Sequence, residues 1–141
     1  QLVAVIAGSA DDIARRWIQE ATTHRSTTGY HDFDHSRLYR GVQNILSRFN
    51  LWLGGHFDDS DIEDFFFRLG KGSRKEGFAL SEVLSALSLV KKHLWEFALS
   101  RGMWRNTIDI YKALELDRRI VIFFDKAAFY TARGYEKHDV R

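Results

Sequence analysis

KEGFALSEVLSALSLVKKHLWEF, Lys75–Phe97, reads as one amphipathic helix carrying more apolar surface than a single core contact requires. With about 100° of turn per residue, Val83, Ala86, Leu87, Val90, Leu94 and Phe97 fall on one broad side, the pattern that docks a helix onto a core. Ser81, Ser85, Ser88 and Lys92 mark the reverse side, yet Leu84, Trp95 and Leu99 project there too. Either another helix of the same bundle covers this second face, as around a central helix, or the small serines admit a second subunit with Trp95 as its anchor. The spacing predicts a helix from about Leu80 to Ser100, closed by Arg101-Gly102 in cation-then-glycine order.

Similar periodicity extends in both directions. Ser9 with Asp12 resembles a capping box that starts a helix with Ile13, Trp17 and Ile18 on its buried stripe. The polar run HRSTTGYHDFD breaks it. A second helix is predicted over His35–Leu53, with Leu38, Val42, Ile45, Leu46 and Phe49 three and four apart and Gly54-Gly55 as its stop. A third follows one of the cap candidates Asp58, Asp59 or Ser60 and carries Ile62, Phe65, Phe66 and Leu69. Gly70, Gly72 and Gly77 leave its end past Leu69 undefined. A last helix starts near Asn106 or Thr107 and runs to about Arg133, with Gly134 a candidate end. It bears two apolar stripes. Ile110, Leu114, Val121, Phe124 and Ala128 form one, read as the core contact; Leu116, Ile120, Phe123, Ala127 and Tyr130 form the other, read with Trp95 as a candidate dimer interface.

These elements predict an all-α fold, a compact five- or six-helix bundle or globin-like packing, with residues 1–141 forming a single domain. Composition agrees: 45% of residues are hydrophobic and 14% aromatic, and proline is absent, which argues against a turn-rich β fold. Twenty-one Lys and Arg against 19 Asp and Glu, scattered in sign, describe no nucleic-acid stripe. The absence of cysteine excludes a disulfide framework, a thiolate metal site and a Cys nucleophile. No apolar run approaches the ~20 residues of a membrane span, and QLVAVIAGSADD lacks the basic start of a secretion signal. No membrane insertion by this segment and a cytoplasmic location are expected.

Catalytic signatures are missing. The six histidines include no HExxH, EF-hand or facial-triad spacing. His31, Asp32, Asp34 and His35 are the one cluster able to clamp a divalent ion, the basis of an alternative reading as a metal-dependent enzyme; solvated loop residues are the simpler reading. His93 lies on the apolar side of its helix, where an imidazole suits a ligand or haem, the alternative being a boundary histidine bonded to a neighbouring helix. GKGSRKEG, Gly70–Gly77, lacks the Walker spacing and follows a helix instead of a strand. Asp58, Asp59 and Asp61 suit a helix start. No catalytic residue, cofactor or metal is expected, and the interior is expected to be apolar and free of haem.

The chain resembles the RsbRD N-terminal domain family through Arg74, Gly77 and the run GFALSEVLSALSLVKKHLWEF, preceded by ARRWIQEA and followed by FFDKAAFYTARGYEK. Its specific part is Arg74, Gly77, Glu82, Val83, Leu84 and Trp95. The resemblance implies an all-helical sensory input domain of RsbT co-antagonist proteins, also found before other bacterial signalling outputs, with related stressosome input domains resembling globins that have lost haem. A haem-binding globin-type sensor is the alternative within that class. The expected partners are a second copy, as a homodimer, and a covalently attached output module such as a histidine kinase or STAS domain, reached past Arg141 through the last helix.

Overall fold

The computed structural model describes Ile6, residues 8–100 and residues 107–137, with Leu99 and Ser100 described as backbone. The closure at Arg101-Gly102, the start at Asn106, the Leu99 side chain and His138 lie outside the described residues. Five α-helices follow in order, α1 Ala10–Ala21, α2 His35–Leu53, α3 Asp59–Lys75, α4 Leu80–Ser100 and α5 Thr107–Glu136, with a 3₁₀ segment Arg25–Tyr30 between α1 and α2. The fold is all-α, with six helices and no strand among the described residues.

Local chemistry accounts for most of the boundaries. The Asp34 carboxylate accepts from the Ser36 and Arg37 amides at the start of α2, and Asp58 with Asp61 forms a reciprocal capping box on α3. Ser9 occupies the N-cap of α1, but its side chain makes no capping bond, so the expected box is not formed. Helices α2 and α3 both end in Schellman motifs. His56 N–H donates to Leu51 O at 2.8 Å and Phe78 N–H to Ser73 O at 3.1 Å. The intervening Gly55 and Gly77 have φ of 81° and 91°, a conformation that side chains disfavour.

Two other glycines correct the sequence reading. Helix α3 continues through Gly70 to Lys75, and α5 continues through Gly134 to Glu136. Neither glycine is a stop. A Cβ on Gly70 would collide with the Thr131 carbonyl, and one on Gly134 with the Phe67 carbonyl. The missing side chains let α3 and α5 cross with their backbones in contact.

Helix α4 is central, packed against α1, the 3₁₀ segment, α3 and α5. Its first face is buried throughout, with Val83, Val90 and Leu94 at most 2% exposed. Leu84 and Trp95 on the reverse side are half-buried, and Trp95 packs against the same core. Neighbouring helices of the same bundle thus cover part of the second face. At the far end of the core, Phe49 and Trp52 of α2 meet Phe66 of α3 and Phe123 of α5, with ring centroids of Phe123 5.2–5.7 Å from the other three.

Candidate functional site

A cavity of about 310 Å³ lies beside α4, within the size range of small-molecule sites. Its inner wall combines Trp17 of α1, Tyr30 of the 3₁₀ segment, Ile45 of α2 and Val83, Ala86 and Val90 of α4. Its rim carries Arg37 and Gly41 from α2, Arg68, Gly72 and Ser73 from α3, and Glu76 just past the end of α3. Each wall is fixed by a specific bond. Trp17 Nε1 donates to the Ala86 carbonyl at 2.9 Å, so the indole's one donor is satisfied and its ring stays as apolar lining. Tyr30 stacks on Phe78 at 4.3 Å between centroids and meets Trp17 edge-on at 6.1 Å. Burial, and next the Glu82 charge, push the Tyr30 phenol up, so it remains a neutral hydroxyl donor at physiological pH. Arg37 bridges α2 to α3 by pairing with Glu76 at 2.7 Å, while its guanidinium lies over the Phe33 ring.

The residues that carried the family resemblance have structural jobs around this cavity. Glu82, at the start of α4, accepts from the Thr28 hydroxyl at 2.6 Å and the Gly29 amide at 3.2 Å, holding the 3₁₀ segment in place. Val83 lines the wall. Arg74 donates to the Tyr135 carbonyl at 2.8 Å, and the Tyr135 hydroxyl donates to the Phe78 carbonyl at 2.6 Å. Phe78 is itself a cavity residue. The end of α5 is therefore bonded directly to the cavity wall.

His93 is elsewhere. Its Nε2 is 2.8 Å from Glu20 Oε1 on α1, and Lys92 Nζ is 3.0 Å from both oxygens of the same carboxylate. Facing a carboxylate, Nε2 carries the proton and the ring is engaged with Glu20, the boundary-histidine arrangement; the ring does not line the cavity. Burial raises the Glu20 pKa, but hydrogen bonds from Lys92 and His93 outweigh it and leave the carboxyl below its usual range. The His31–His35 loop is likewise committed to local structure. His31 Nε2 contacts the His24 carbonyl at 2.8 Å, and Asp34 caps α2. Among the described residues no three His, Asp or Glu side chains converge to hold a metal.

The two stripes of α5 exchange roles. Leu116, Ile120, Phe123 and Ala127 are at most 1% exposed inside the chain's own core, and Tyr130 is half-buried. They are not the surface expected from the sequence. The exposed large apolar residues of α5 are Ile108, Ile110, Tyr111, Leu114, Val121 and Phe129, which fall within an arc of about 160° opposite the core face. Phe124 of the stripe read as core is buried, at 4% exposure, while Leu114 is 55% exposed.

Sequence reasoning did not find Tyr30, Gly41, Gly72, Phe78 or Tyr135. Gly41 was the available signal: a glycine midway along a strongly periodic helix costs about 1 kcal/mol against alanine and therefore asks for a reason. No helix among the described residues is long and apolar enough to cross a membrane. Compared with known protein families, residues 11–139 match the N-terminal domain of the RsbT co-antagonist protein RsbRD. No match was found among curated proteins or solved structures.

Proposed function

Because the chain belongs to the RsbRD N-terminal domain family, a family of stressosome-type signalling input domains, we propose that it works as a single non-catalytic cytoplasmic sensory unit. It passes a signal through α5 to a covalently attached output module of histidine kinase or STAS type. The observation that carries this reading is the construction of α5. One side of this 30-residue helix forms core, the opposite side is exposed and apolar, and its last turn is bonded to the cavity wall through Tyr135 and Phe78. A change in the cavity thus has a short mechanical route to a surface suited to association.

A second copy is the occupant of that surface. Arg118 and Asp125, charges that interrupt the exposed stripe, are opposite in sign and seven residues apart, and Arg118 also pairs with Glu115 of its own helix at 2.7 Å. Antiparallel copies related by a two-fold axis between Val121 and Ile122 set each Arg118 against the partner copy's Asp125 and each Leu114 against its Phe129. Sedimentation velocity over a micromolar concentration series tests this. The wild type is expected to dimerise and Leu114→Glu to remain a folded monomer. A wild type that stays monomeric throughout the series removes the second copy from the reading.

A further inference from the structure

The cavity has features that select among ligands. Its interior offers aromatic and aliphatic walls, with Trp17's donor already used on Ala86. The charged groups at its rim are Arg37, Arg68 and Glu76, two cations and one anion, and the anion is paired with Arg37. Arg68 Nε donates to the Asp64 carbonyl within its own helix, which leaves its charge at the rim without neutralising it. The rim therefore favours an anion over a cation. Gly41 and Gly72 line the same opening, and a Cβ built on either would meet nothing within 4 Å. Unlike Gly70 and Gly134, neither is required for helix crossing. Each instead keeps side-chain volume away from the opening at a cost in helix propensity.

We propose that this cavity binds one small monoanionic amphiphile, with an acyl or aryl body against Trp17, Tyr30, Phe78 and Val90 and a carboxylate at the rim beside Arg68 and Arg37. Guanidinium groups match a carboxylate in planar, charge-assisted hydrogen bonds. Binding deepens the input-domain reading by naming the class of signal molecule, and it rests on that reading only for the use to which the ligand is put.

The test is calorimetric titration of the 141-residue protein with decanoate, decanol and decylammonium, with thermal melts alongside. Decanoate is expected to bind one per chain and raise the melting temperature, decanol to bind more weakly, and decylammonium to bind weakest. Arg68→Gln is expected to weaken decanoate about tenfold while leaving decanol unchanged. Gly41→Leu and Gly72→Leu fill the opening and are expected to abolish decanoate binding while the protein stays folded. If one of these two variants fails to fold, the other decides. Decanoate that does not bind, that binds several per chain, or that binds equally to Arg68→Gln and to the folded leucine variant overturns the proposal. A protein that binds decanoate but never dimerises retains the ligand and loses the proposed assembly; one that dimerises without binding does the reverse.

Discussion

A Cβ on Gly70 would sit 2.7 Å from the Tyr135 amide nitrogen, whereas one on Gly41 or Gly72 would meet open space. The same substitution should therefore have opposite signs at these sites. Gly41→Ala and Gly72→Ala are expected to stabilise the fold by about 0.5–1 kcal/mol, the usual gain of alanine over glycine within a helix. Gly70→Ala and Gly134→Ala are expected to destabilise it by about 1–3 kcal/mol, since the helix backbones must separate. Urea midpoints of the four variants check this. The sequence could mark all four as glycines in or near helices, but a glycine's role is decided by the neighbour it faces, which spacing along one strand of sequence does not record. Glu20 is a second residue whose meaning is tertiary. Its pKa lies below the ordinary 4.5 through Lys92 and His93, so its stabilising contribution is full above pH 4.5 and is lost as pH falls through the lower folded value. Glu20→Gln is accordingly expected to be less stable than wild type at pH 7, with the gap narrowing as the pH is taken below 4.5. Denaturation at pH 7 and along that acid series measures it.

At the scale of elements, His35–Leu53 and Leu80–Ser100 were legible because an unbroken three-four spacing and nearby end signals are local information. The assignment of faces on α5 was not. Periodicity counts the stripes of a helix without saying which of them has a neighbour, and here the stripe containing Ile120 and Phe123 meets the aromatic residues of α2 and α3. The exchange gives a paired expectation. Ile120→Asp places a charge at a core position and should cost about 3 kcal/mol or more of stability. Leu114→Glu should leave the fold intact and weaken self-association. Within the antiparallel pairing, Arg118→Asp and Asp125→Arg should each weaken association, and the double variant should recover part of it, because the exchange restores opposite charges across the axis. Sedimentation equilibrium of the two single variants and the double variant measures that coupling; two losses that simply add would contradict the pairing.

At the scale of the molecule, the all-α class followed from composition and periodicity, and the family residues were recognisable before their tasks were. Arg74, Gly77 and Glu82 turn out to hold together the α3–α4 joint, the end of α5 and the 3₁₀ segment around one cavity. The cavity itself was illegible because an empty volume has no sequence pattern; its walls come from α1 through α4 and the 3₁₀ segment. Its bond to α5 is the part on which the proposed signal transmission depends. Amide hydrogen exchange of Gly41→Leu against wild type, each with and without Tyr135→Phe, tests that dependence without any ligand. Filling the cavity is expected to slow exchange around Arg133–Glu136 of α5, and Tyr135→Phe is expected to remove that effect while the slowing in α2 and α3 persists. Protection confined to α2 and α3 in both backgrounds, with α5 unchanged, would contradict transmission from the cavity through Phe78 and Tyr135.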